Sequence, residues 1–204
     1  MRVHLPPVYP ISPPDLTGDA LLAWARELIG AGATLLQYRR KGGADCERLE
    51  ELRALVALAR PLGCAVIAND RLDLCLLAEA GGLHLGQEDL PASEARALLG
   101  PGALLGLSTH DAGQAEQAWG LPVDYIALGP VFPTGSKERP DPVVPPEVQR
   151  AVAARSPVPV VAIGGLTPER AGLMYERGFA SVAVISALGR EPGAAFRRFL
   201  ERAP

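Results

Sequence analysis

Lysine occurs at only two positions of the 204-residue chain, Lys41 and Lys137, and the other eighteen basic residues are arginines. Lys41 closes the polar stretch 37–41 and Lys137 closes the polar stretch 134–137, each directly after an apolar run. A compact ammonium group meets phosphate as a point charge, whereas guanidinium presents a wide planar fork. The two lysines therefore predict phosphate contacts, with chance placement in loops as the alternative.

The first polar stretch carries Gln37, Arg39 and Lys41 at alternate positions. Alternate residues point to the same side while a chain stays extended. Two cations and an amide on one side predict an anion site. A solvated loop is the alternative, and the buried apolar run just before the stretch favours the anion site.

Two carboxylates follow two other apolar runs. Asp70 lies within Asn69-Asp70-Arg71, and Asp89 ends the stretch 86–89. At the ends of neighbouring strands, whose axes lie ~4.8 Å apart, they would share one rim. Mg²⁺ is held by one or two carboxylates with substrate phosphates and water, so the pair predicts a magnesium site. Helix capping is the alternative, and it explains each aspartate alone better than the pair.

Two histidines and a serine accompany the next strand ends. Ser108 can hydrogen-bond a phosphate, although capping the following helix is a serious alternative. We interpret His110 as a surface residue or one that supports the site without acting in catalysis. His84, within an apolar run, is interpreted as a satisfied interior histidine.

The last strand ends offer further anion ligands. Residues 134–137 combine Thr134, a glycine, Ser136 and Lys137, which can cradle a phosphate although their order differs from the GxxxxGK[ST] nucleotide loop. Gly165 and Ser186 follow the last two runs, where backbone amides often bind phosphate in barrels. Tight packing is the alternative for the glycine pair at 164–165.

These groups together predict two anion sites on one rim. Mg²⁺ with Arg39, Lys41 and Lys137 suits a diphosphate, whereas the glycine amides suit a monophosphate. No general base is evident. The combination predicts substitution at a carbon that bears a diphosphate, driven mainly by electrostatic stabilisation of the departing charge.

Eight short aliphatic runs alternate with eight helical patterns. The predicted strands are 8–11, 34–38, 65–68, 83–85, 104–107, 125–128, 158–163 and 181–185. The predicted helices are 20–29, 46–60, 72–80, 93–99, 112–119, 146–154, 168–177 and 193–202, with Asp19, Asp111 and Thr167 as N-caps. We therefore expect an α/β fold, a single (β/α)8 TIM barrel over residues 1–204. An open doubly wound sheet is the alternative, which the strand count and the absence of a glycine-rich first turn disfavour.

Composition narrows the class of protein. The net charge of −3 and the pI of 5.7 lack the basic footprint of nucleic-acid binding. The three cysteines, Cys46, Cys64 and Cys75, form no CxxC pair and fit a reduced cytoplasmic compartment. No apolar run approaches the ~18 residues of a membrane helix, so we expect no membrane partner. The oligomeric state, including a homo-oligomer, stays open.

Six stretches together resemble the thiamine-phosphate synthase family, which includes the TenI-like thiazole tautomerases. They read QYRRK at 37–41, NDR at 69–71, HLGQED at 84–89, GLSTH at 106–110, GPVFPTGSK at 129–137 and AIGG at 162–165. The resemblance spans residues 8–187. It implies a TIM barrel that joins 4-amino-5-hydroxymethyl-2-methylpyrimidine diphosphate to a thiazole (carboxylate) phosphate, giving thiamine phosphate and diphosphate through a pyrimidine carbocation.

The resemblance also implies roles for individual residues. Asp70 and Asp89 would hold Mg²⁺. The pyrimidine diphosphate would be contacted by Gln37, Arg39, Lys41, Asn69, Thr134, Ser136 and Lys137, with Ser108 close by. Gly165, Ile185 and Ser186 would hold the thiazole phosphate. Arg39, Ser108 and Lys137 would act in catalysis.

Several positions depart from the family pattern. Ser136 stands where threonine is usual, Ser12 where an aspartate is common, Arg170 where asparagine is usual and Pro145 where glycine is usual. Ser136 keeps the hydroxyl group, so diphosphate binding is little affected.

Two other functions compete with the synthase. Residues 167–170 look similar to the tautomerase branch, an isomerase without diphosphate or metal. Some tautomerases, however, carry a catalytic histidine at the position of Pro130 and lack the metal-site carboxylates kept here. A non-enzymatic regulator is disfavoured by the acidic pI and the absence of a DNA-binding helix pair. Residues 135–141 form a hypothetical lid, and the preferred thiazole tautomer stays open.

Overall fold

The computed structural model describes residues 4–135 and 141–204. Within them, strands and helices alternate along the chain. The strands are β1 (Val8–Pro10), β2 (Leu35–Tyr38), β3 (Ala65–Asn69), β4 (Gly82–Leu85), β5 (Leu104–Thr109), β6 (Tyr125–Leu128), β7 (Val160–Ile163) and β8 (Ser181–Val184). The helices are α1 (Gly18–Gly30), α2 (Asp45–Ala59), α3 (Leu72–Leu77), α4 (Ala92–Leu99), α5 (Ala112–Ala118), α6 (Pro146–Arg155), α7 (Pro168–Glu176) and α8 (Pro192–Leu200).

The strands form one parallel sheet in the order β1-β8-β7-β6-β5-β4-β3-β2. Just beyond β1, Ile11 bridges to Gln37 of β2 in parallel, and the Ser12 amide donates to the Gln37 carbonyl at 2.9 Å. These contacts bring the two ends of the sheet together. The predicted (β/α)8 barrel is confirmed, and the open doubly wound sheet is wrong.

The apolar core has two layers, which follow from the period-2 alternation of each strand. Val8 packs outward in the layer between sheet and helices, whereas the next residue, Tyr9, points into the barrel. The inner layer contains Leu5, Tyr9, Ile11, Leu35, Ile67, Tyr125, Ala127, Val161 and Ala183. A packed interior means that ligands can enter only at the strand ends.

Two of the three predicted N-caps are confirmed. The side chain of Asp111 accepts from the Gln114 amide, and that of Thr167 accepts from the Arg170 amide. The prediction for Asp19 is wrong, because α1 begins at Gly18, two residues before the predicted start, and Thr17 occupies the extended N-cap position. Asp19 instead lies in the first turn, where its charge complements the helix dipole.

Candidate active site

An open cavity enclosing about 900 Å³, including space open to solvent, lies at the carboxyl ends of the strands. Eight of the predicted site residues line it: Gln37, Arg39, Asn69, Ser108, Thr134, Gly165, Ile185 and Ser186. They come from most of the strand ends around the barrel. Residues far apart in sequence therefore meet in one space, as the barrel topology requires.

Three further predicted residues lie outside the lining of this cavity: Lys41, Asp70 and Asp89. Lys41 and Asp70 are exposed, and Asp89 is half-buried. Asp70 interacts electrostatically with both Arg39 and Lys41, so the cations after β2 face the carboxylate after β3. Ser136 and Lys137 lie outside the described residues, as does most of the predicted 135–141 lid.

The carboxyl groups of Asp70 and Asp89 are close enough to interact as a hydrogen-bonded pair. Partial removal from water and the charge of Asp89 raise the pKa of Asp70 to about 6, although Arg39 and Lys41 oppose the shift. Two carboxylates held together at such a cost are a typical cation site. Their placement at the ends of β3 and β4 agrees with the sequence prediction.

Neither aspartate caps a helix, so the capping alternative is wrong. The N-cap of α3 is Arg71 and that of α4 is Pro91, and neither cap receives a side-chain hydrogen bond. Asp89 Oδ2 accepts instead from the Gly86 amide at 2.6 Å, which orients its carboxyl group. Asp70 has a left-handed backbone with φ of 64°, a conformation that non-glycine residues seldom adopt outside functional or turn positions.

No group of three or more His, Cys, Asp and Glu side chains that could hold a metal ion is found in residues 4–135 and 141–204. The pair of Asp70 and Asp89 nevertheless fits Mg²⁺, which needs only one or two protein carboxylates when phosphate oxygens and water complete its shell.

Ser12 supports Arg39 through the backbone, a role that the sequence did not indicate. The Arg39 amide donates to Ser12 Oγ at 2.8 Å, and the Ser12 hydroxyl lies 3.4 Å from the Arg39 carbonyl oxygen. Ser12 is fully buried. It therefore fixes the chain where β2 ends and the Arg39 side chain turns into the cavity.

A buried network of hydrogen bonds runs below the cavity through Gln37, Tyr9, Tyr125, His84 and Ser108. Gln37 Nε2 donates to the Tyr9 hydroxyl at 3.0 Å, which lies 3.1 Å from the Tyr125 hydroxyl. The Tyr125 hydroxyl lies 3.0 Å from His84 Nδ1, and His84 Nε2 lies 2.9 Å from Ser108 Oγ. The interior position predicted for His84 is confirmed, but the histidine also reaches the cavity through Ser108.

Burial sets the protonation state of this buried network. It lowers the pKa of His84 to about 4, although the charge of Asp89 opposes the shift. It also raises the pKa of the Tyr9 and Tyr125 hydroxyls well above their usual range. All three side chains are therefore neutral near pH 7.

His110, interpreted from the sequence as a surface or supporting residue, lines the cavity. Its Nδ1 lies 2.7 Å from the Gly129 carbonyl oxygen, and because a carbonyl only accepts, Nδ1 carries the proton. Asp141, also in the lining, has its Oδ2 3.6 Å from the same nitrogen. The sequence signal was its place directly after β5, next to Ser108.

The glycine pair at 164–165, directly after β7, allows close backbone packing and also lines the cavity. Gly165 has φ of 62°, and a Cβ there would lie 2.4 Å from the Pro133 carbonyl oxygen. Arg170 Nη1 donates to the Gly165 carbonyl at 2.5 Å, and its guanidinium lies 4.8 Å from the centre of the Phe132 ring. The tight turn leaves its backbone facing the cavity beside Ser186.

The family model for thiamine monophosphate synthase matches residues 8–188. The chain belongs to this family. The thiamine-phosphate synthase of Koribacter versatilis is 41% identical over 204 residues, covering 98% of the chain and 96% of the relative. That of Moorella thermoacetica is 41% identical over 186 residues, covering 90% and 89%.

A solved structure agrees with the family. Thiamine phosphate pyrophosphorylase from Pyrococcus furiosus superposes with a TM-score of 0.85 at 29% identity, covering 96% of the chain and 94% of that protein. The fold also resembles 3-hexulose-6-phosphate synthase, with a TM-score of 0.72 at 15% identity. The resemblance read from the sequence, and the transferase it implied, are confirmed by the synthase relatives. Within the described residues, none of the helices has the length and apolarity needed to cross a membrane.

Proposed function

We propose that the chain is a Mg²⁺-dependent thiamine-phosphate synthase. It couples 4-amino-5-hydroxymethyl-2-methylpyrimidine diphosphate with a thiazole (carboxylate) phosphate and releases thiamine phosphate and diphosphate. We further propose that residues 1–204 form one domain acting in the cytoplasm. The observation that carries the proposal is one cavity lined by Arg39 at one side and by the turn at Gly165 at the other, with the paired carboxylates of Asp70 and Asp89 within electrostatic reach of Arg39.

The diphosphate end lies after β2, β3, β4 and β6. Arg39 lines the cavity, and Lys41 stands close enough to Asp70 to interact with its charge. Asn69 and Thr134 add an amide and a hydroxyl to the lining. We assign Lys137, with Ser136, to the same end from the sequence.

Asp70 and Asp89 are the residues that would hold Mg²⁺, and the Gly86 amide orients the Asp89 carboxyl group. The ion supplies positive charge beside the leaving diphosphate. Arg39 and Lys41 bind and orient the same group, and their fixed charges favour the state in which negative charge has accumulated on it. Together these residues lower the barrier to breaking the carbon–oxygen bond of the pyrimidine substrate.

The monophosphate end lies after β7 and β8. The turn at Gly165 and the backbone at Ile185 and Ser186 line the opposite part of the cavity. Backbone amides in such turns bind phosphate without a charged side chain. This arrangement would hold the thiazole phosphate in the same cavity as the pyrimidine diphosphate.

A thiazole tautomerase is the second candidate, and His110 is the observation in its favour. With its proton on Nδ1 held by Gly129, the other ring nitrogen is a base in the same cavity. The paired carboxylates argue for the synthase, because an isomerase without diphosphate has no use for them.

The deciding experiment incubates the purified protein with both substrates, with and without Mg²⁺, and measures diphosphate and thiamine phosphate. We expect equal amounts of both products, formed only with the metal. A parallel sample receives the thiazole carboxylate phosphate alone. Isomerisation there, without diphosphate release in the complete mixture, would replace the synthase with the tautomerase.

A further inference from the structure

The buried network can carry its protons in only two ways. Each hydroxyl in it accepts one bond and donates the next, so reversing one bond reverses all of them. The structure places Gln37 Nε2 on the Tyr9 hydroxyl, and an amide nitrogen only donates. The Tyr9 hydroxyl therefore donates to Tyr125, and the Tyr125 hydroxyl donates to His84 Nδ1.

This direction determines what the network presents to the cavity. Because His84 Nδ1 accepts, the single ring proton of the neutral imidazole lies on Nε2, which donates to Ser108 Oγ. The Ser108 proton is then left for a ligand. One N–H of Gln37 Nε2 is used on Tyr9, and no described residue donates to Gln37 Oε1, so this oxygen is left as an acceptor.

The surroundings preserve this pattern. Tyr9 and Tyr125 are at most 2% exposed, and the inner apolar layer around them includes Leu35, Ile67 and Val161. Water cannot readily replace a partner there, so a reversed or broken bond would leave a buried polar group unsatisfied. The hydrogen bonds of the network therefore all keep one direction or all reverse together.

We propose that Tyr9, Tyr125 and His84 are positioning residues that fix an acceptor at Gln37 and a donor at Ser108, and thereby select an aminopyrimidine over its oxo analogue. The inference rests on the proposed function and deepens it. An aminopyrimidine offers amino N–H donors and ring-nitrogen acceptors, which match this pattern. The oxo analogue offers a carbonyl acceptor and a ring N–H donor, which oppose it.

The first test measures the proton itself. NMR of the unliganded protein with ¹⁵N-labelled histidine reports which ring nitrogen of His84 is protonated, and His84→Gln assigns the signal. We expect the proton on Nε2. A proton on Nδ1 would mean the reversed direction and would overturn the proposal whatever the activity.

The second test measures discrimination by binding. Calorimetry with Mg²⁺ compares an aminopyrimidine diphosphate with the same compound carrying an oxo group. We expect at least ~100-fold weaker binding of the oxo compound, because a site built on hydrogen bonds rejects a mismatched partner strongly. Tyr125→Phe removes the donor to His84, and we expect it to reduce the discrimination by ~10-fold or more. Equal discrimination in parent and variant would contradict the proposal.

Tyr38→Phe is the matched control, because this buried strand tyrosine bonds Glu51 at 2.7 Å and does not line the cavity. It should keep the parental discrimination. If Tyr125→Phe does not fold, Tyr9→Phe tests the same step by freeing the Gln37 amide to turn. A protein that discriminates between the two pyrimidines but never releases diphosphate with thiazole phosphate would lose the proposed function and keep this inference.

Discussion

The carboxyl group of Asp70 interacts with that of Asp89, and the two follow adjacent strands of one barrel. Such a pair is unfavourable without a cation, since burial and mutual repulsion disfavour two negative charges. The left-handed backbone of Asp70 adds a conformational cost. Mg²⁺ held by the two carboxylates, as proposed above, would offset this cost.

We predict that Asp89→Asn lowers turnover by at least ~100-fold, the usual loss when one electrostatic contact to a transition state is removed. The measurement is diphosphate release across a range of Mg²⁺ concentrations. Glu88→Gln is the control, because Glu88 is the exposed neighbouring carboxylate. Equal rates in the two variants would remove Asp89 from the metal site.

We predict that Lys137→Ala lowers turnover by at least ~100-fold, and that Lys137→Arg restores little of it. A wide planar guanidinium does not reproduce the point charge of a compact ammonium at a phosphate oxygen. Single-turnover rates with saturating pyrimidine diphosphate separate this loss from weaker binding. Wild-type rates in Lys137→Ala would leave the cluster at 134–137 without a catalytic role.

We predict that Ser12→Ala loosens Arg39 without removing any charge. The variant loses the acceptor for the Arg39 amide, a buried bond, which should cost ~1–2 kcal/mol of stability. KM for the pyrimidine diphosphate should rise more than kcat falls. Ser181→Ala is the control, since Ser181 Oγ is buried with no hydrogen-bond partner within the described residues. Equal destabilisation by both changes would count against the backbone clamp.

The barrel could be predicted because its signal is local. Each strand is a short aliphatic run bounded by Gly or Pro, and the residues after it are the site by topology alone. Boundaries were less accurate: Asp19 was predicted as the N-cap of α1, whereas Thr17, also a residue type that caps helices, occupies that position. Capping preference alone did not choose between them.

The parts of the site that were missed depend on contacts between distant strands. Tyr9 and Tyr125 are 116 residues apart, and their bond follows from which side chains share one layer of the barrel interior. The orientation of His110 could not be predicted either, because a histidine after a strand can turn towards or away from the barrel axis, and its ring is held by the Gly129 carbonyl of a distant strand end. Local sequence patterns do not show which side chains of distant strands will form hydrogen bonds with each other.

The buried state of His84 predicts a pH dependence of stability. Its folded pKa of about 4 lies below the unfolded value of 6.5, so the unfolded chain binds the proton first. The contribution of neutral, buried His84 to the free energy of unfolding is complete above pH 6.5, and it is lost as the pH falls from 6.5 to 4. The shift of about 2.5 pH units corresponds to ~3 kcal/mol.

Urea unfolding between pH 7 and 4 measures this term as the difference between the parent and His84→Gln. The comparison with the variant matters because Asp70, whose folded pKa is raised to about 6, acts oppositely and adds stability as the pH falls. We expect the stability advantage of the parent over the variant to shrink by ~3 kcal/mol across this range. His4→Gln, at an exposed histidine, should leave the parental pH dependence unchanged. A constant difference between parent and His84→Gln would mean that His84 is protonated inside the barrel, which the donor–acceptor order of the buried network forbids.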